Sequence, residues 1–146
     1  MLPGRESLTR ECGRSIACIH AADYYVKWVQ DPCYPPPAKL TTKARKYLMQ
    51  FKEKYGKPEC DLERLVVEKL RGTELEDLTD EVVKTALEIK KKLNVSSPVA
   101  AALAAYVVAL RNGRYVTKKE IAAIFQVRAE SLTPWKVREA LKVIAT

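Results

Sequence analysis

The sequence predicts an all-helical fold, and three observations support that prediction. A run of uncharged residues at 94–110 has the length and composition of a buried helix. Helix start and stop signals flank most of the apolar segments, and no segment alternates apolar and polar residues as a half-exposed strand does. Apolar residues at successive spacings of four, four, three and four positions form one helical stripe: Leu78, Val82, Ala86, Ile89 and Leu93.

The uncharged run is the predicted centre of the fold. Ser97 is its expected N-cap, with Pro98 at the first helical position, where the missing N–H group costs nothing. Asn112 and Gly113 are its expected stop, because glycine readily adopts the left-handed conformation. The run is shorter than the roughly 20 apolar residues of a membrane span. It therefore predicts a core helix and no membrane partner.

Caps and helix breakers divide the rest of the chain. We predict an N-terminal helical extension with a proline-rich linker at residues 1–59 and a helical domain at residues 60–146. The N-terminal extension has two predicted helices: residues 6–30, and residues 42–55 after a Thr41 or Thr42 cap. The helical domain begins with residues 62–72 after Asp61, a helix capped by Thr79, and the uncharged helix. It ends with a helix opened by a capping box of Thr117 and Glu120 and a last helix from Thr133-Pro134 to Val143.

Charge is unevenly distributed along the chain. The net charge is +8, from 26 Lys and Arg against 18 Asp and Glu. Residues 60–81 contain eight acids and three bases, whereas residues 111–142 contain eight bases and three acids. The basic C-terminal region is the part that an anionic partner would meet, and nucleic acid is the natural candidate. The alternative is an ordinary solvated surface.

The four cysteines bear on the redox state of the protein and on the kind of organism from which it comes. They are expected to be free thiols in a cytosol, although intracellular proteins of hyperthermophiles are disulfide-rich. Scarce Asn and Gln beside plentiful Lys, Glu and Arg fit a thermophile. Cys12 and Cys18 are six positions apart on the first predicted helix, too far to bond to each other. Any disulfide is therefore expected to involve Cys33 or Cys60.

Catalytic and cofactor chemistry finds little support in the residues. His20 is the only histidine, so the sequence offers a single imidazole for any Ser-His-Asp arrangement. Zinc binding by Cys12, Cys18, His20 and Cys33 is an alternative, but the paired short spacing of structural zinc sites is absent. No glycine-rich phosphate loop is present. We expect a protein that is not an enzyme, needs no cofactor and, lacking a signal peptide at its start, is cytoplasmic.

Two short helices with a tight connection at the C-terminus predict a helix-turn-helix. In that motif the second helix enters the major groove and neighbouring residues contact phosphates. Trp135 is expected to pack against the core, with base contact as the alternative. The predicted nucleic-acid-binding residues are Lys118, Lys119, Arg128, Ser131, Thr133, Lys136 and Arg138.

These segments together resemble a known family. Ser97-Pro98, the Ala-rich helix that ends in Tyr-Val-Val-Ala at residues 106–109, and Thr-Lys-Lys-Glu-Ile-Ala at residues 117–122 resemble the cyclin-like repeat of archaeal transcription factor B and eukaryotic transcription factor IIB. The resemblance covers residues 60–144, the length of one five-helix repeat. It implies that the fourth and fifth helices form a helix-turn-helix that reads promoter DNA.

The chain departs from that family in two respects. The family proteins carry a zinc ribbon and two repeats, whereas this chain has room for one repeat and its cysteines make no ribbon. Pro134 lies where the recognition helix of the family begins. Either the DNA-reading face is displaced, or it is lost and the repeat is a scaffold that binds protein or RNA.

The expected function is that of a non-enzymatic nucleic-acid-binding protein. A DNA-binding transcription regulator is the leading interpretation, and DNA is favoured over RNA as the partner. The alternative is a cyclin-like adaptor subunit of a transcription or ribonucleoprotein assembly. Its contacts would be the acidic residues 74–81 and the aromatic residues near the N-terminus.

Overall fold

The computed structural model describes residues 3–145 of the chain, and for residue 145 the backbone alone. Across these residues the secondary structure is entirely helical: eight α-helices and two short 3-10 turns, with no strand. The all-helical prediction is confirmed. The chain divides into two compact units at the boundary between Cys60 and Asp61, here called the N-terminal unit and the C-terminal unit.

The N-terminal unit contains three helices: α1 (Arg5–Glu11), α2 (Ile16–Gln30) and α3 (Thr42–Tyr55). The single first helix predicted over residues 6–30 is wrong. The chain leaves the helical path at Gly13 and Arg14, whose φ angles are +86° and +60°, and Ser15 starts α2 by accepting a hydrogen bond from the N–H of Cys18. Thr41 caps α3 as predicted, accepting from the N–H of Ala44.

The core of the N-terminal unit lies where α2 packs against both α1 and α3. Tyr25 is buried and its hydroxyl donates a 2.7 Å hydrogen bond to the carbonyl of Gly56, which satisfies the polar end of an otherwise apolar contact. The buried members of this core are Leu8, Ala21, Ala22, Tyr25, Ala44, Leu48 and Phe51.

Two disulfides involve all four cysteines. Cys12 is bonded to Cys18 with the Cα atoms 5.5 Å apart, and Cys33 is bonded to Cys60 with the Cα atoms 4.5 Å apart. The expectation of free thiols is wrong, and so is the exclusion of a Cys12–Cys18 bond. That exclusion assumed one continuous helix, whereas the reversal at Gly13 and Arg14 brings the two cysteines together.

The C-terminal unit contains five helices: α4 (Leu62–Leu70), α5 (Thr79–Lys92), α6 (Ser97–Arg111), α7 (Lys118–Ile124) and α8 (Pro134–Ala145). The 3-10 turns, Glu76–Leu78 and Ala129–Ser131, precede α5 and α8. Helix α4 begins after Asp61 as predicted, because the Asp61 carboxylate accepts from the N–H of Arg64. The apolar stripe of α5 faces the core through Val82, Ala86 and Ile89, which are fully buried.

Helix α6 is the centre of the C-terminal unit. It packs against each of the other four helices, and its middle is fully buried from Ala100 through Ala105. This confirms the prediction made from its lack of charge. Small alanine side chains allow helices to approach α6 closely, and the larger Leu103, Val107 and Val108 fill the remaining space.

Two helix starts differ from the predictions. The N-cap of α6 is Ser96, which accepts from the N–H of Val99, and Pro98 is the second helical residue. Thr79 makes no side-chain cap to α5; its hydroxyl instead donates 2.6 Å to the carbonyl of Glu76. At α6 the neighbouring Ser96 is the cap, so the observed cap lies one position before the predicted one. At α5 the preceding 3-10 turn leads directly into the helix, and the Thr79 side chain bonds to that turn instead of capping the helix.

The last two helices of the C-terminal unit both pack against α6 but differ in their other partners. Helix α7 packs against α6 and the second 3-10 turn, whereas α8 packs against α5 and α6. Pro134 is the first residue of α8, and Thr133 caps that helix by accepting from the N–H of Lys136 at 3.2 Å. The arrangement of α7 and α8 as a helix-turn-helix, and of the unit as a cyclin-like repeat, stays a prediction.

Candidate nucleic-acid interface

The outer face of α8 presents aromatic, apolar and basic side chains to solvent. Helical geometry places residues 135, 138 and 142 one turn apart along one side, with residue 141 beside them. The opposite side of the helix, with Val137 and Ala140, is buried. The exposed residues of what we call the α8 outer face are Trp135, Arg138, Leu141 and Lys142.

Three of the predicted site residues are joined by intramolecular hydrogen bonds at the start of α8. Thr133 accepts from the backbone N–H of Lys136, and the Lys136 ammonium donates to the carbonyl of Ser131 at 3.4 Å. All three side chains are partly buried. Ser131, Thr133 and Lys136 therefore have a structural role at this helix start.

The other predicted site residues lie apart from that group. Lys118 and Lys119 begin α7, where Lys118 is partly buried and Lys119 is exposed. Arg128 is exposed and lies 4.0 Å from a carboxylate oxygen of Glu130. Arg138 is exposed on α8. Within residues 3–145 no ion pair involves Lys118, Lys119 or Arg138, and no hydrogen bond joins these three or Arg128 to the group at the start of α8.

Trp135 does not pack into the core. Its exposed fraction is 54%, so the expectation that the ring is buried is wrong. Val137 and Ala140 take the buried side of α8. Residue 135, two positions before residue 137, lies about 200° around the helix from it, so the Trp135 ring points outward. Tyr115, between α6 and α7, is fully exposed at 100%. Sequence reasoning missed Tyr115 and Leu141; the three-residue spacing from Arg138 was the available signal for Leu141.

The acidic segment preceding α5 is tied into the C-terminal unit. The Arg114 guanidinium donates to Asp77 through two nitrogens and to the Glu74 carbonyl at 2.9 Å. The hydrogen bond from Arg114 holds the pKa of Asp77 below its ordinary value. Glu81 accepts from Asn112 at 3.2 Å and lies 3.7 Å from Arg111. The carboxylates of Asp77 and Glu81 therefore link the start of α5 to the end of α6 and the residues that follow it.

No metal-binding geometry occurs in the described part of the chain. No cluster of three or more His, Cys, Asp or Glu side chains is placed to hold an ion there. Zinc ligation would need cysteine thiolates, whereas the sulfurs of Cys12, Cys18 and Cys33 are in disulfides. Among residues 3–145, no helix has both the length and the apolar character that a membrane crossing requires.

Comparisons with protein-family models, with curated proteins and with solved structures find no match to this chain. We therefore infer the function from the side chains themselves. Among the predicted site residues and their neighbours, the exposed cations of α7 and α8 and the exposed ring of Trp135 can contact an external partner without disturbing the core.

Proposed function

We propose that this protein is a nucleic-acid-binding protein, with duplex DNA as the preferred ligand and transcription regulation as its role. The observation that carries the proposal is the α8 outer face, where Arg138 accompanies the exposed ring of Trp135, together with Lys142, which pairs with Glu139 at 3.1 Å. Arginine and lysine neutralise phosphates, and an exposed aromatic ring can contact sugars or bases. Lys119 on α7 and Arg128 add two exposed cations to the same unit.

The order of elements in the C-terminal unit supports the finer proposal of a cyclin-like repeat. Five helices occur in the expected order, and the third of them, α6, is apolar and surrounded by the other four. Because Pro134 starts α8, the contacting residues would lie on its outer face instead of in the connection before it. On this proposal the exposed Arg138 is the principal contact, while Ser131, Thr133 and Lys136 hold the start of the helix.

The disulfides restrict the kind of cell in which this function would operate. Cytosolic proteins of mesophiles keep their cysteines reduced, but intracellular proteins of hyperthermophiles are disulfide-rich. Two disulfides in a DNA-binding protein therefore favour a hyperthermophilic source, in agreement with the scarcity of Asn and Gln.

Fluorescence anisotropy with the full chain tests the proposal. The probes are a duplex DNA, a single strand of the same sequence and a structured RNA, each titrated across a salt series. The double variant K119Q/R138Q is compared with the control K84Q/K92Q, which removes two exposed charges from α5. We expect the first variant to weaken duplex binding and to reduce the salt slope by about 1.8, at about 0.9 per phosphate contact, while the control follows the wild type. Equal effects of the two variants, or no binding to any probe, would overturn the proposal.

A second candidate function is a protein-interaction adaptor. Exposed Trp135 and Leu141 on the α8 outer face favour it, since tryptophan and arginine dominate protein interfaces. This candidate predicts no salt-dependent binding to any of the three probes. The contacts first expected for it are less suitable, because Asp77 and Glu81 are engaged by arginines and Tyr25 is buried.

A further inference from the structure

The outer side of α3 is a second cationic surface, in the N-terminal unit. Residues 32–52 contain five Lys and Arg and no Asp or Glu. Lys43, Arg45 and Lys46 are exposed, and within the described residues no ion pair involves them. The later lysines of α3 differ: Lys54 pairs with Glu11, and Lys52 lies 5.6 Å from the centre of the Trp28 ring.

A shallow depression lies along this side of α3. Its volume is about 470 Å³, and its lining residues fall at successive turns of the helix, so they form one continuous row about 12 Å long. Two ammonium groups, one phenol ring and one carboxamide therefore face the same space. The lining residues are Thr42, Lys43, Lys46, Tyr47 and Gln50.

We propose that this depression binds a segment of single-stranded nucleic acid. Lys43 and Lys46 contact backbone phosphates, the Tyr47 ring stacks on a base, and the Gln50 carboxamide hydrogen-bonds to a base edge. Cationic grooves with aromatic rings are the recurring solution for single strands, because every base has a π face. Tyr47 is partly buried against the core of the N-terminal unit, so its ring is held in place before the ligand arrives.

Other anionic partners fit this surface less well. A membrane-surface helix inserts an apolar face, but the apolar face of α3, with Ala44, Leu48 and Phe51, is buried in the core of the unit. Along α3, Met49 is the only exposed large apolar side chain. An acidic peptide would use the lysines but would leave the ring of Tyr47 and the carboxamide of Gln50 without a matching group.

This inference does not rest on the proposed function. Its residues belong to the N-terminal unit, whereas the α8 outer face belongs to the C-terminal unit. The two are separated by testing both surfaces in one full-length protein. Loss of duplex binding on changing α8 and loss of single-strand binding on changing α3 are independent results.

The test is anisotropy with labelled oligo(dT) and oligo(U), which separate DNA from RNA as the source of the single strand. The variants are K43Q/K46Q, Y47L and the ring-preserving Y47F, with K84Q/K92Q as the charge-matched control. Both lysines of the first variant are exposed, so its fold is retained, and circular dichroism checks this for Y47L. We expect K43Q/K46Q to lower the salt slope by about 1.4, at about 0.7 per phosphate of a single strand. We expect Y47L to weaken binding on the order of tenfold while Y47F binds as the wild type does.

Three results would overturn the inference. One is unchanged oligonucleotide binding by K43Q/K46Q, or a loss equal to that of the K84Q/K92Q control. Another is equal weakening by Y47L and Y47F, which would remove any role for ring stacking. The third is displacement of oligo(dT) by poly-glutamate or by anionic vesicles at equal charge concentration, which would identify a surface that selects charge alone.

Discussion

Arg114 and Asp77 join the segment after α6 to the 3-10 turn before α5. The two terminal guanidinium nitrogens of Arg114 contact the Asp77 carboxylate, and one of them also donates to the Glu74 carbonyl. The acidic run at residues 74–81 thus includes a fixed contact within the C-terminal unit. This bidentate geometry is the arrangement in which arginine pairs most effectively with a carboxylate.

The variant D77N should lower the stability of the C-terminal unit at neutral pH. Since Arg114 holds the pKa of Asp77 below its ordinary value, the carboxylate contributes stability above its unfolded pKa, near 4, and loses it as the pH falls through the folded pKa. The melting temperatures of wild type and D77N should therefore differ at pH 7 and converge in acid. E68Q, which breaks the exposed Arg64–Glu68 pair within α4, is the control. A difference that stays constant from pH 7 to pH 2 would contradict the assignment.

The parts of the fold that could be predicted are those set by local physics. The burial of α6 follows from its lack of charge, and the starts of α3 and α4 follow from Thr41 and Asp61, whose side chains cap them. The two caps depend on residues within one turn of the helix start. The burial of α6 is provided by the four helices around it, but it could be predicted because an uncharged helix has no face suited to water.

The break between α1 and α2 could not be predicted in the same way. Gly13 permits a positive φ angle, but Arg14 also adopts one, which arginine does only when the surrounding contacts require it. The Cys12–Cys18 disulfide depends on that break. One missed turn is therefore the reason that a Cys12–Cys18 bond was wrongly excluded.

The candidate site was predictable in composition but not in orientation. The excess of basic residues after residue 110 is evident from the sequence. The direction of each side chain depends on which side of α8 packs against α5 and α6. That packing turns Trp135 outward and leaves Lys136 partly buried.

The two disulfides should contribute unequally to the stability of the N-terminal unit. Cys33 and Cys60 are 27 positions apart, against six for Cys12 and Cys18. In the chain-entropy model these loops correspond to about 3.5 and about 2 kcal/mol of stabilisation. C33S/C60S should therefore lower the free energy of unfolding more than C12S/C18S, as measured by denaturant titration of the N-terminal unit's transition.

The presence of both bonds is tested separately by mass spectrometry. The protein unfolded without reductant should take up no iodoacetamide, and after reduction it should take up one group at each of Cys12, Cys18, Cys33 and Cys60. Uptake before reduction would contradict the disulfide assignment. Equal destabilisation by the two double variants would contradict the ranking by loop length.

Shortening a side chain of α6 should lower the stability of the protein strongly where that side chain is buried and very little where it is exposed. Leu103 is fully buried at the middle of α6, whereas Leu110 lies near its end with 42% of its surface exposed. L103A should cost about 2–5 kcal/mol of stability through lost contacts and a residual cavity. L110A serves as the matched control and should change stability by about 0.5 kcal/mol or less. Similar losses for the two variants in denaturant titration would mean that α6 is not the buried centre of the unit.

Tyr34 should make the N-terminal unit sensitive to alkali. Burial, with a smaller contribution from the Asp31 carboxylate, raises the pKa of Tyr34 to about 12. Because the pKa of an unfolded tyrosine is about 10, the neutral phenol contributes stability that is complete below pH 10 and is lost as the pH rises toward 12. Thermal unfolding of wild type and Y34F should therefore differ in pH dependence between pH 10 and pH 12, with Y34F showing the smaller decline. Y115F, which removes a fully exposed phenol, is the control, and equal effects of Y34F and Y115F would exclude Tyr34 as the cause.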